Sequence, residues 1–207
     1  MEPMSDSAAQ DTRIAALLLA AGGGRRLGGR PKALLSHHGR PLVEHAVRTL
    51  RDGGCAPDVH VVLGAAADEV RRRADLSGCV PLENPDWATG MGTSLRAGLQ
   101  ALAGSDTGAA LVLLVDQPGV GAEAVSRVRA AYRSPGTLAA AAYGGRRGHP
   151  VLLGAAHWAG VAAEASGDRG ARGYLAHREA DLRLVECGDV ADPADIDTPE
   201  DLVRLSP

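Results

Sequence analysis

Four stretches carry residue types that could do chemistry together. The first is 14–32, IAALLLAAGGGRRLGGRPK. Seven apolar residues, 14–20, lead through Ala21 into Gly22, Gly23 and Gly24, then Arg25, Arg26, Gly28, Gly29 and Lys32. A short apolar run that meets glycines reads as a buried strand of a parallel sheet. Glycine lets backbone approach a ligand closely, and exposed N–H groups in such a loop form an anion-binding nest. The arginines and the lysine add positive charge. The stretch has the outline of a phosphate-binding loop, with a flexible basic turn as the alternative. It lacks the GK[ST] ending of a Walker A loop and the spacing of a dinucleotide fingerprint.

The second is Asp116, which follows the apolar run 109–115, AALVLLV, and precedes Gln117 and Pro118. Open α/β sheets bind ligands at the carboxyl ends of their strands. Asp116 therefore reads as a metal ligand, or else as a cap on the next turn. The third is Asp192, Asp195 and Asp197 ahead of Thr198-Pro199-Glu200-Asp201. An N-cap Thr, a Pro at the first helical position and acids in the first turn explain 198–201 as structure. They leave Asp197 unexplained. The fourth is 84–95, NPDWATGMGTSL. Thr93 or Ser94 could cap a helix there. Gly90-Met91-Gly92 before that helix leaves N–H groups open to an anion or a base edge, or forms an ordinary capped loop.

The elements that must hold these residues follow from periodicity. Strands are expected at 14–20, 59–63, 79–82, 109–115, 137–143, 149–153 and 182–186, and helices at 41–52, 65–74, 121–133, 155–163 and 174–179. A further helix carries Leu95, Gly98, Leu99 and Leu102 on one face. Such alternation predicts an α/β fold: a Rossmann-like, doubly wound, mostly parallel sheet with helices on both faces. His149 opens a strand after the turn 144–148, where it could touch substrate or hydrogen-bond the turn. Arg71, Arg72 and Arg73 read as a solvated helix face.

With 207 residues, 45% of them apolar and 23% charged, the chain is long enough for one domain with a substantial core, here 13–207 after a loose polar tail at 1–12. The sequence has no Phe, so Leu, Val, Ile and Ala must fill that core. A net charge of −3 argues against nucleic acid as a partner. No apolar stretch approaches the roughly 18 residues of a membrane span. Cys55, Cys79 and Cys187 are widely spaced, which suits a reduced, cytoplasmic chain. No histidine spacing suits a metal site.

LAAGGGRRLGGRPK (19–32), NPDWATGMGTSLRAGL (84–99), LVDQPG (114–119), GHPVLL (148–153), GDRGAR (167–172) and DIDTPEDL (195–202) occur in one order along the chain. This set resembles the MobA-like nucleotidyltransferase family, in particular its molybdenum cofactor cytidylyltransferase branch. The resemblance implies a fold of the nucleotide-diphospho-sugar transferase type that binds a nucleoside triphosphate with Mg²⁺. It implies CMP transfer from CTP to molybdenum-bearing molybdopterin, with release of pyrophosphate and a molybdoenzyme as client. On that basis Leu19, Ala20, Ala21, Gly22, Gly23, Gly24, Arg26 and Lys32 bind the nucleotide together with Asn84, Gly90, Gly92 and Ser94. Arg26, Lys32 and Asp116 are the catalytic residues, Asp116 and Asp197 hold the metal, and His149 and Arg169 face the acceptor. LAAG (19–22), DQP (116–118) and Pro31 resemble the cytidylyl rather than the guanylyl branch. The alternatives are a sugar- or polyol-phosphate nucleotidyltransferase, an NAD(P)H-dependent oxidoreductase of the nicotine blue oxidoreductase type, and a non-enzymatic cofactor chaperone.

Overall fold

The computed structural model describes residues 13–205; the expected tail at 1–12 lies outside them. The strands are β1 (Ile14–Ala20), β2 (Ser36–His37), β3 (Arg40–Pro41), β4 (Val59–Leu63), β5 (Cys79–Glu83), β6 (Ala109–Leu114), β7 (Leu138–Tyr143), β8 (Arg146–Gly154) and β9 (Leu182–Glu186). The helices are α1 (Leu42–Asp52), α2 (Ala67–Arg73), α3 (Met91–Leu102), α4 (Ala122–Arg129), α5 (Trp158–Glu164) and α6 (Arg172–Ala176).

Seven strands form one sheet in the order β5-β4-β1-β6-β8-β7-β9, and β2 pairs with β3 apart from it. Within the large sheet only β8 runs antiparallel to its neighbours. The mostly parallel expectation holds. Every residue of β1 is buried, because helices cover both faces of a parallel sheet. Ala16, Leu18 and Ala20 pack with Val43, Val47 and Leu50 of α1 and Val125 and Val128 of α4. Ala15, Leu17 and Leu19 pack on the other face with Leu95, Leu99 and Leu102 of α3 and Val161 of α5. The outer strands β5 and β9 are largely exposed. Pro81 lies in β5, where a residue without an N–H is tolerated because the strand is at an edge.

Some boundaries differ from expectation. α3 begins at Met91, not at a Thr93 or Ser94 cap. Both hydroxyls instead accept hydrogen bonds from the Asn84 side-chain amide, at 2.8 and 3.0 Å, so neither is left to start the helix. The helix expected at 121–133 ends at Arg129, and that at 155–163 opens with a 3₁₀ turn before Trp158. The segment expected at 174–179 is helical only over Arg172–Ala176. β8 starts at Arg146, so the arginines expected in a turn are strand residues.

From β1 the chain passes through α1 to β4 on one side, and through the later elements to β6 on the other. The crevice at the carboxyl ends of β1 and β6 is the switch point of the sheet, where open α/β folds place ligands.

Candidate active site

The loop after β1 is built by its own hydrogen bonds. Gly24 has φ 59°, and a Cβ there would lie 2.0 Å from the Arg30 carbonyl oxygen, so only glycine fits. The Gly24 carbonyl accepts the N–H groups of Leu27 and Gly29 at 2.8 and 3.0 Å. The Lys32 N–H donates to the Gly22 carbonyl at 3.2 Å. The loop thus folds back on itself and returns Lys32 to the end of β1.

Two distant carboxylates meet Lys32 there. Its Nζ donates to Asp116 Oδ2 at 2.6 Å and also to Asp197 Oδ1. Arg26 Nη1 approaches Asp197 Oδ2 at 3.5 Å. Burial disfavours the Lys32 ammonium, but the Asp116 and Asp197 carboxylates outweigh it and raise its pKa above the ordinary lysine value. The backbone keeps these groups in register, since the Ile196 N–H donates to the Asp116 carbonyl at 2.8 Å. Asp201 accepts the N–H groups of Asp197 and Thr198 and the Thr198 hydroxyl. The Asp201 carboxylate thus ties down the start of the 3₁₀ helix Pro199–Leu205 and orients Asp197.

A cavity of about 500 Å³ opens over this cluster. Of the residues singled out in the sequence, Leu19, Ala21, Gly22, Gly23, Arg26, Lys32, Gly90, Ser94, Asp116 and Asp197 line it. The uncapped N-terminus of α3 opens onto it at Gly90 and Met91. Ala20, Gly24, Asn84 and Gly92 do not line it. Asn84 is buried and ties β5 to the first turn of α3. Gly92 packs against the Ser166 backbone.

His149 and Arg169 lie beside this cavity and not in it. Both line an apolar recess of about 40 Å³, too small for a bicyclic ligand. His149 also lines a larger chamber of about 300 Å³ with Tyr143, Arg146, Arg147, Arg172 and Asp195. Met91, Leu114, Arg172 and Asp195 border both the chamber and the main cavity. Loss of solvation, with help from Arg172 and Arg147, pushes the His149 pKa down to about 4, so its imidazole is neutral near pH 7.

Sequence reasoning missed Trp87, Asp195 and Arg172 as cavity residues. Asp195 had a signal in its place two residues before Asp197. Gln117 Nε2 donates to its Oδ1 at 2.8 Å, and burial followed by the Asp116 charge raises its pKa. Trp87 and Arg172 sit among ordinary loop and helix residues, and only the fold brings them to the cavity.

Among the described residues no group of three or more His, Cys, Asp or Glu side chains is arranged to hold a metal. Asp116 and Asp197 nevertheless share one cation, the Lys32 ammonium, and both are hard oxygen donors. Two carboxylates beside a basic, glycine-rich loop suit an ion of the Mg²⁺ type, which takes one or two carboxylates and fills its shell with water and other oxygen donors. The donor set fits.

Residues 16–182 match the MobA-like NTP transferase domain. The chain belongs to this family. By family it is a nucleotidyltransferase. Nicotine blue oxidoreductase of Paenarthrobacter nicotinovorans is 42% identical over 199 residues, covering 93% of this chain and 96% of that protein. The molybdenum cofactor guanylyltransferase of Acidiphilium cryptum is 33% identical over 201 residues, covering 92% and 93%. Among solved structures, Rv0371C of Mycobacterium tuberculosis in complex with manganese superposes with a TM-score of 0.74 at 26% identity, covering 94% of this chain and 98% of that one.

Proposed function

We propose that this chain transfers CMP from CTP to molybdenum-bearing molybdopterin in the presence of Mg²⁺. The observation that carries the reading is one cavity bordered by Gly22, Gly23, Lys32, Asp116 and Asp197 at the switch point of the sheet. A terminal phosphate oxygen of the acceptor attacks the α-phosphorus of CTP. The bond from that phosphorus to the bridging oxygen breaks, and pyrophosphate leaves with the electron pair. Charge builds on the nonbridging oxygens and on the leaving group, so positioning and electrostatics carry the catalysis. Amides of Gly22 to Gly24 and the cations of Arg26 and Lys32 hold the triphosphate. Asp116 and Asp197 would hold Mg²⁺, which supplies further positive charge to the phosphates when bound. The chamber bordered by His149 and Arg172 receives the acceptor, and the product would pass to a molybdoenzyme client.

The acceptor is supported by the relatives named as molybdenum cofactor guanylyltransferases. Cytosine is supported by LAAG (19–22), DQP (116–118) and Pro31, against the guanylyl name those relatives carry. The test follows label from the α-phosphate of CTP and of GTP into molybdopterin, with Mg²⁺ and with EDTA. Mg²⁺-dependent transfer from CTP is expected. Transfer from GTP alone would overturn the base assignment, and no transfer from either would overturn the reading.

A second reading, NAD(P)H-dependent reduction, is favoured by the 42% identity to nicotine blue oxidoreductase. It gives the Lys32–Asp116–Asp197 cluster no role, since a dinucleotide pyrophosphate needs no pair of carboxylates beside it.

A further inference from the structure

The nucleotide site has one large aromatic wall. Trp87 lies in the 3₁₀ turn Trp87–Thr89 between β5 and α3, and it borders the main cavity with Ala88 and Thr89. Its indole crosses the carboxyl ends of two strands. A Cβ on Gly64, just past β4, would lie 2.4 Å from Trp87 Cβ, and a Cβ on Gly23, past β1, would lie 2.9 Å from the far edge of the ring. Both positions admit the ring only because they are glycine. Arg25 Nη2 donates to the Ala88 carbonyl at 3.3 Å and joins the phosphate loop to the same turn.

Packing does not use the whole side chain. Trp87 is half-buried, and its Nε1–H has no protein acceptor among the described residues, whereas the buried Trp158 donates its own to the Leu153 carbonyl at 2.8 Å. The strand order then fixes an axis along the sheet edge. The Lys32–Asp116–Asp197 cluster lies at the β1–β6 side, the glycines over β1, and Trp87 on the β4 side. A triphosphate held by the cluster and the glycines points its nucleoside toward Trp87.

We propose that Trp87 is the nucleobase platform of this site, stacking the base against its indole ring. The inference rests on the triphosphate reading of the cavity. Stacking tolerates any base, so Trp87 supplies affinity, and selection falls to the polar groups beside it at Ala88 to Gly90.

Trp87 and Trp158 are the two tryptophans, so a W158F variant makes Trp87 the sole indole reporter. CTP, GTP and inorganic tripolyphosphate, each with Mg²⁺, are titrated by calorimetry and by emission. Both nucleotides, but not tripolyphosphate, are expected to quench Trp87. W87A is expected to weaken CTP binding about 5- to 150-fold and tripolyphosphate binding less than about two-fold, with W87F between W87A and the parent. Where W158F lowers the yield, the difference in emission between wild type and W87F gives the same signal. Nucleotide binding without quenching, or an equal loss of tripolyphosphate affinity in W87A, would overturn the platform and leave the nucleotide site standing. No binding of any nucleotide or of tripolyphosphate would overturn both.

Discussion

Replacing Lys32 with methionine removes a charge and keeps most of the side-chain volume. The Lys32 side chain is 12% exposed and Asp116 19%, while Asp197 is 45% exposed. At the 2.6 Å Lys32–Asp116 separation, and with an effective dielectric constant of about 20, the gross attraction is about 6 kcal/mol. Desolvation cancels much of this, and solvent screens the Asp197 side. A net loss of about 2 kcal/mol remains, and at roughly 2–4 °C per kcal/mol for a chain of this length the melting temperature falls by about 4–8 °C. The variant leaves Asp116 and Asp197 without the ammonium between them, and only the exposed Arg26 remains beside Asp197. Millimolar Mg²⁺ or Mn²⁺ is therefore expected to raise its melting temperature more than that of wild type. Nucleotidyl transfer is expected to fall at least about 100-fold, as when a preorganised charge-stabilising donor is lost. Differential scanning calorimetry with and without the cation, together with the transfer assay, checks both effects. An unchanged melting temperature with unchanged turnover would refute the claim that Lys32 holds this cluster together.

Asn84→Ala strips the donor from Thr93 and Ser94 in a buried position, at an expected cost of about 1–3 kcal/mol by urea denaturation. Its effect on CTP affinity should exceed its effect on tripolyphosphate affinity, because the cavity wall it supports lies beside Trp87. Asp201→Ala removes the three hydrogen bonds from Asp197 and Thr198 and is expected to cost about 0.5–2 kcal/mol, with a loss of transfer activity through a misplaced Asp197 that Asp201→Asn partly restores. Burial holds His149, His37, His45 and His60 below the ordinary imidazole value of about 6.5. Between that value and their folded pKa values the unfolded chain binds protons that the folded chain does not, so stability falls as pH falls. For His149 the window runs down to about pH 4, and His149→Gln should flatten the decline of the urea midpoint across it.

Several strands of the sheet are plain in the sequence. The spans of β1, β4 and β9 agree residue for residue with expectation, because apolar or β-branched runs bounded by glycine, proline or acids leave little choice. Helix starts and ends were less legible. Thr93 and Ser94 look like caps until Asn84, nine and ten residues earlier in the chain, takes their hydroxyls. Lys32, Asp116 and Asp197 stood out singly by type and place. Their meeting did not, since it depends on β1 and β6 lying side by side and on Ile196 pairing with the Asp116 backbone. Trp87 was silent for the same reason: its partners Gly23 and Gly64 are distant in sequence and are recognised only when the two strand ends are adjacent.

The measurement that tests the transferase reading most directly is a calorimetric panel of CTP, GTP, ATP, UTP and NADPH, each with and without Mg²⁺, on wild type and on Asp116→Asn. The expected result is Mg²⁺-dependent binding of a nucleoside triphosphate, CTP foremost, that weakens at least about 10-fold in Asp116→Asn, and no comparable binding of NADPH. NADPH binding with no triphosphate binding, unaffected by Asp116→Asn, would contradict it.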